Sequence, residues 1–388
     1  MDNARRETLL LAPYAMHAAD SAGRRHEERA HAYRSPYQRD RDRIVHSSAY
    51  RRLAYKTQVF TSPLLASPHL SRRNSFSQHG GGYHRTRLTH TLEVASVART
   101  LARALRVNED LVEALALMHD IGHPPFGHAG EDVLNARLEG EGGFNHNAQA
   151  LRIVERLEQR YPGFPGLNLT HEVLDGQSRR AYKPTRGSVV PDGRESPLLE
   201  VQIVDAADSI AYDAHDADDA LELGMIEFAE LETIELWRDT VSRVRQRFAS
   251  LDAKALRRAT IHELIDRQVS DLLDHAWRRL EELRPDSTGA VRHAPLIAEA
   301  SPALAEQKRP FERFLFDRVY RHPRVLAQRM EATAALGGLF DHAADTADTL
   351  PAPYAEVARQ QSPQRAAADY VSSVTDRFAL EAAGALAG

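Results

Sequence analysis

Nineteen histidines and no cysteine stand in this 388-residue chain. Any metal it holds must therefore be met by imidazole, carboxylate or backbone oxygen, and thiolate nucleophiles, iron–sulfur clusters and cysteine-type zinc fingers are excluded. Three stretches direct such groups inward. His90 shares a helical stripe with Val94, Val97 and Leu101, and His119 shares a face with Val112, Leu115 and Ala116, with Asp120 next in sequence before Gly122 and Pro124 end the helix. Asp208 falls on the stripe of Val201, Val204 and Ala211, where an unpaired carboxylate is expensive. Taken singly, each has an ordinary reading: a core histidine bonded to a carbonyl, or an aspartate paired with one of many arginines. Together, His90, His119, Asp120 and Asp208 supply four N/O ligands to one divalent ion, with positions left for water and a substrate oxygen. Manganese, magnesium, cobalt or iron would suit that mixture.

The spacing of His90, the adjacent His119-Asp120 and the distant Asp208 resembles the H…HD…D signature of HD-domain metal-dependent phosphohydrolases. The longer run from His119 through Ile121, Gly122, His123, Pro124, Pro125, Phe126 and Gly127 to His128, followed by Glu131, is similar to the bacterial dGTP triphosphohydrolase branch. The stretches Ser48–Phe60 and Thr86–Ala95 agree with it. The resemblance covers residues 40 to 225 strongly and Lys308–Val325 weakly. It implies an HD-domain helical bundle with additional C-terminal helices, and hydrolysis of a deoxynucleoside triphosphate to deoxynucleoside and inorganic triphosphate.

That cleavage needs a nucleophilic water and a proton for the alkoxide leaving at O5′, work suited to an imidazolium near neutral pH. His123 and His128 lie in a Gly/Pro-rich loop that cannot continue a helix, Glu131 follows, and His146 sits in Gly143–Asn147. His128 and His146 are the candidate proton carriers, although His146 taken alone reads as a helix-start residue. The resemblance implies that His128, Glu131 and His146 form an acid/base relay; which histidine donates stays open. It also implies substrate-binding roles: Arg87 and His123 in the pocket, Arg87 toward phosphate, Tyr212 under the sugar, and Gln58 and Asp216 on the 3′-hydroxyl. Crowding around the sugar predicts preference for deoxynucleotides over ribonucleotides.

These groups must be positioned by helices, because apolar residues recur at three- and four-residue steps in Leu88–Leu105, Leu111–Met118, Ala148–Leu157, Leu199–Tyr212 and Ile261–Leu283, with Asn108 as a helix cap. Strand-like alternation is scarce, so the fold class is all-α. Breaks are expected at Thr61–His84, Gly140–Gly143, Pro162–Gly166 and Gly176–Pro197. The organisation expected is a polar N-terminal arm over residues 1–40, a catalytic core over 41–235 and a helical region over 236–388.

Net charge is −5, yet the first ninety residues hold 16 Lys/Arg against 7 Asp/Glu. That surplus, with Arg72, Arg73 and Gly80–Gly82, makes single-stranded nucleic acid a candidate partner beside the dNTP substrate; the 46 arginines against 4 lysines also fit a plain composition bias. No run approaches the roughly 18 apolar residues that span a bilayer, and Thr8–Ala12 is short for a secretory signal, so a cytoplasmic protein without membrane contact is expected. A homo-oligomer is expected from the family. Two alternatives carry the same ligands: another HD-domain phosphohydrolase, either nucleotidase or phosphodiesterase, and a nucleotide-sensing or nucleic-acid-binding protein with a silent site.

Overall fold

The computed structural model describes residues 3–58, 85–181 and 195–387. It is all-α, as the periodicity predicts. Among the described residues the only extended pairings are isolated bridges, Arg24 with Thr170, Thr57 with Thr86 and Gln159 with Gly166. No described helix is long and apolar enough to cross a membrane. The Thr61–His84 connection, with Arg72 and Arg73, lies outside the described residues.

The expected helices appear as Arg87–Ala104, Glu109–Met118, His146–Arg152 with a π-helical continuation Ile153–Leu157, Leu199–Glu222 and Ala253–Leu283. One expected break is corrected. Gly176 does not open a loop, because helix His171–Ala181 runs through it. The glycine is buried, the Asp175–Arg179 pair spans one turn, and Arg179 and Arg180 complement the helix end, which together offset the modest helix penalty of a glycine.

The chain divides into two units. The first comprises Met1–Asp20, Glu93–Ala116 and Gly187–Val325. Here Trp237 is fully buried between the Phe311 ring at 6.0 Å and the edge of Phe228 at 5.4 Å. The 31-residue helix Ala253–Leu283 starts on an Asp252 cap and packs against Leu199–Glu222 and Glu235–Arg247. Asn108 accepts from the Leu111 N–H at 3.3 Å, as its capping role predicts. Within the stretch read as an arm, Ala12, Ala15 and Met16 are buried, and the Met16 N–H donates to Glu200 at 2.8 Å. Burial pushes the Glu200 carboxyl above its usual range against those bonds.

The second unit comprises Ser21–Leu92, Leu117–Arg186 and Leu326–Gly388. Its core joins Phe126, Leu134, Leu138 and Phe144 to Leu336, Leu339, Phe340 and Val371 of the C-terminal helices, each such side chain contributing on the order of 1.5–3 kcal/mol on full burial. Helix Pro36–Val45 opens with a Ser35/Gln38 capping box and Pro36 in its first turn. Much of the basic surplus is neutralised internally: Arg24 pairs with Asp40, Arg39 and Arg43 with Glu28, Arg34 and Arg41 with Asp42, and Arg87 with Asp120.

Candidate active site

The helix Glu109–Met118 ends where His119 and Asp120 turn out of it, with the His123 N–H returning to the Asp120 carbonyl at 3.1 Å. This turn brings His119 and Asp120 to His90, one turn into its own helix. One nitrogen or oxygen from each of the three lies within 4.8 Å of the others, and all three residues are buried. The imidazoles meet edge to face at 5.7 Å. Two nitrogens and a carboxylate converging out of solvent fit a divalent ion of the kind the sequence suggests.

Asp120 is held by more than this pair. Its Oδ2 accepts from Arg87 Nη1 at 2.9 Å, and its Oδ1 lies 3.1 Å from His123 Nδ1 and 3.5 Å from His119 Nε2. Burial opposes its ionisation, but His119, His123 and Arg87 outweigh it and hold the carboxyl well below the usual range. Room for the guanidinium comes from Gly127, whose φ is +57°; a Cβ there would stand 2.5 Å from Arg87 Nη2.

Beyond Asp120 the ring of His123 stacks on His146 at 3.8 Å. Burial first, then the Arg87 charge, push the His123 imidazole well below its ordinary range, so it is neutral. Such close approach requires Gly122, where a Cβ would fall 2.0 Å from the His146 carbonyl and 2.4 Å from the Ala150 nitrogen. Glu131 then joins both remaining histidines. His128 Nδ1 lies 3.0 Å from Oε2, His146 Nδ1 lies 2.8 Å from Oε1, and the His146 backbone N–H donates to Oε1 at 2.8 Å. These bonds overcome burial and hold Glu131 ionised far below the usual carboxylate range.

The neighbours of His146 fix its tautomer. Gln177 Nε2 reaches the Asn147 backbone carbonyl at 3.3 Å, which can only accept, so the same amide nitrogen donates to Asn147 Oδ1 at 3.0 Å. Asn147 therefore turns its own Nδ2 to His146 Nε2 at 3.0 Å. Nε2 must accept, and the ring proton sits on Nδ1, donated to Glu131. His128 is different: its side chain is 56% exposed, and Glu131 meets it only at Nδ1.

The other predicted residues fall as follows. Gln58 is half-buried beside Arg87, whose Nη2 donates to its backbone oxygen at 3.5 Å. Asp208, Tyr212 and Asp216 lie at four-residue steps on helix Leu199–Glu222 of the first unit. Within that unit, Asp216 is buried and accepts from the Tyr320 hydroxyl, while Tyr212 faces the Tyr320 ring at 6.0 Å. Burial and the Asp216 charge push the Tyr320 hydroxyl far above its ordinary range, so it stays a donor. Lys308 donates to Ser209 at 3.2 Å and pairs with Asp213 at 2.9 Å. Tyr320 and Lys308 were not singled out from sequence; the weak likeness over Lys308–Val325 was the one signal that touched them. Asn147 and Gln177 gave none.

The HD domain family profile matches residues 87–213, and that of the phosphohydrolase-associated domain matches residues 298–384. Among curated proteins, the deoxyguanosinetriphosphate triphosphohydrolase-like protein of Geobacter metallireducens is 42% identical over 376 residues, covering 96% of this chain and 93% of its own length. That of Thiobacillus denitrificans is 41% identical over 376 residues, 95% of each chain. That of Paracoccus denitrificans is 40% identical over 396 residues, covering 98% of this chain and all of its own.

Proposed function

Because the chain belongs to the family of deoxyguanosinetriphosphate triphosphohydrolase-like proteins, we propose that it is a metal-dependent hydrolase of deoxynucleoside triphosphates, releasing deoxynucleoside and inorganic triphosphate. One observation carries this reading. The buried His90–His119–Asp120 set and the His128–Glu131–His146 relay are joined through His123, which contacts Asp120 on one side and stacks on His146 on the other.

His90, His119 and Asp120 would hold the ion, which when bound supplies Lewis-acid polarisation of a phosphoryl oxygen. The sequence pattern adds Asp208 as fourth ligand. Arg87 holds Asp120 in orientation and offers positive charge to phosphate. Water adds at the α-phosphorus, the bond to O5′ breaks, and the leaving oxygen takes a proton. His128 is assigned as the donor: its Nδ1 faces Glu131, leaving Nε2 for the substrate, whereas His146 Nε2 is occupied by Asn147. His146 in turn orients Glu131. The family resemblance assigns Gln58, His123, Tyr212 and Asp216 to substrate binding, with the 3′-hydroxyl on Gln58 and Asp216. The protein is read as a cytoplasmic homo-oligomer.

The test is incubation with each dNTP under several divalent ions, resolving phosphate, pyrophosphate and triphosphate. Triphosphate with free deoxynucleoside is expected. Phosphate or pyrophosphate in its place would transfer the chain to the other HD-domain phosphohydrolases.

A further inference from the structure

The mechanism leaves unused three buried charged groups of the second unit: Lys56, Asp369 and Asp376. Each joins the C-terminal helices to a catalytic segment. Asp376, in the first turn of helix Asp376–Ala387, accepts from the Thr57 N–H at 2.9 Å, the Thr57 hydroxyl at 2.7 Å and the Phe126 N–H at 3.1 Å. Lys56 donates to the His123 carbonyl at 2.5 Å and to the Ser372 carbonyl at 2.8 Å, at the end of helix Pro363–Ser373. A cation meets one helix's C-terminus and an anion begins the next, the sense a helix dipole favours. The Lys56 carbonyl also accepts the Arg87 N–H at 3.0 Å. Asp369, fully buried, accepts from Gln149 Nε2 at 2.9 Å and Arg152 Nε at 2.9 Å, both on the helix that begins at His146.

The two segments gripped in this way, His123–Phe126 and His146–Arg152, carry the stacked rings of His123 and His146, and the first leads directly into the helix of His128 and Glu131. Phe126 is held with φ +63°, a conformation costly for a bulky residue, immediately before the helix that bears His128 and Glu131. We infer that the C-terminal helix pair is a clamp that positions the proton relay, with Asp376 and Asp369 as its two positioning residues and Lys56 as the tie between clamp and loop. This assigns a task to the region matched by the phosphohydrolase-associated domain, and it rests on the proposed function only for its activity readout. Fully desolvated, hydrogen-bonded carboxylates suit the task, because loss of one acceptor leaves several donors unsatisfied at once.

The experiment compares full-length wild type with Asp376→Asn, Asp369→Asn, Asp376→Glu and Thr57→Val, well below each melting temperature. Bound metal, amide hydrogen exchange and steady-state kinetics with a turned-over dNTP are measured. Asp376→Asn is expected to retain metal, to exchange faster over residues 119–128 but not in the core around Leu134 and Leu336, and to lose about tenfold to a hundredfold in kcat with KM little changed, the scale of a misplaced reacting group. Asp369→Asn should loosen residues 143–152 with a similar loss. Asp376→Glu should recover part of the kcat, and Thr57→Val, which removes a single donor, should show a smaller loss if Asp376→Asn does not fold. Unchanged exchange and kcat in the folded variants overturn the clamp, as does a kcat loss accounted for wholly by lost metal. If wild type turns over no nucleotide, the functional reading fails while the exchange comparison still decides the clamp.

Discussion

Replacing Glu131 by glutamine keeps the size of the side chain and removes its charge, isolating what the carboxylate does for two imidazoles. The amide retains one acceptor oxygen and turns an NH2 toward the other ring, so a donor faces a donor. The bond to His146, at 2.8 Å with both partners mostly buried, bears most of the loss; that to His128, whose side chain is 56% exposed, is discounted for solvent. Losing the charge-assisted part of the first and about half of that of the second amounts to roughly 2 kcal/mol, a fall of about thirtyfold in kcat. Triphosphate release at saturating substrate, with metal content measured on the same samples, reads this loss. A kcat within about threefold of wild type in metal-replete protein would refute the relay.

Four further outcomes are expected. Chelation should abolish activity reversibly, and Asp120→Asn should lose bound metal and melt lower in its presence, while His128→Ala keeps metal and loses about 10² to 10⁴ in rate; metal content and turnover of each variant decide this. Gly122→Ala should destabilise by about 1–3 kcal/mol or more by driving His146 from Gly122, read as a lower melting temperature together with disproportionate loss of kcat. Burial pushes the Lys56 ammonium down to about 7 from 10.5; the unfolded chain holds a proton that the folded chain has released between those values, so this group makes stability rise from about pH 7 to 10.5, by roughly 5 kcal/mol at most, and parallel melting-temperature curves for wild type and Lys56→Met would contradict it. Wild type should prefer dGTP over GTP by about tenfold to a hundredfold, narrowed in Tyr212→Ala; equal rates in wild type would remove the sugar contact.

What the sequence disclosed is what local periodicity carries. His90 could be read as inward-facing because its stripe is apolar, and His119-Asp120 could be placed at a helix end because Gly122 and Pro124 stop the helix. The helices followed from the same three- and four-residue pattern. Gly176 shows the limit of residue-type rules, since a buried glycine supported by an ion pair one turn apart continues a helix. The ties that orient the site were invisible for a different reason. Lys56 meets Ser372, Arg152 meets Asp369 and Asp376 meets Phe126 across hundreds of residues, and no period or spacing encodes such pairings. The tautomer of His146 depends likewise, through Asn147, on Gln177, thirty residues beyond Asn147 on another helix.

The placement of charge in the second unit has a logic that the sequence could not show. Two carboxylates, Asp120 and Glu131, are kept ionised in buried surroundings, the first by Arg87, His119 and His123 and the second by His128 and His146. Between them stands His123, held neutral by burial and by the same Arg87. On the proposed reading, a neutral ring at that point stands between the side assigned to the metal and the side assigned to proton transfer, and adds no further positive charge to either. Were His123 charged, the stack at 3.8 Å would set two cations face to face whenever His146 was protonated. His123→Lys should therefore be worse than His123→Ala in metal retention as well as rate, since a fixed cation would oppose both the ion beside Asp120 and the charged form of the relay. Metal content measured for the two variants at equal loading tests the idea, and equal retention would show that His123 acts by shape alone.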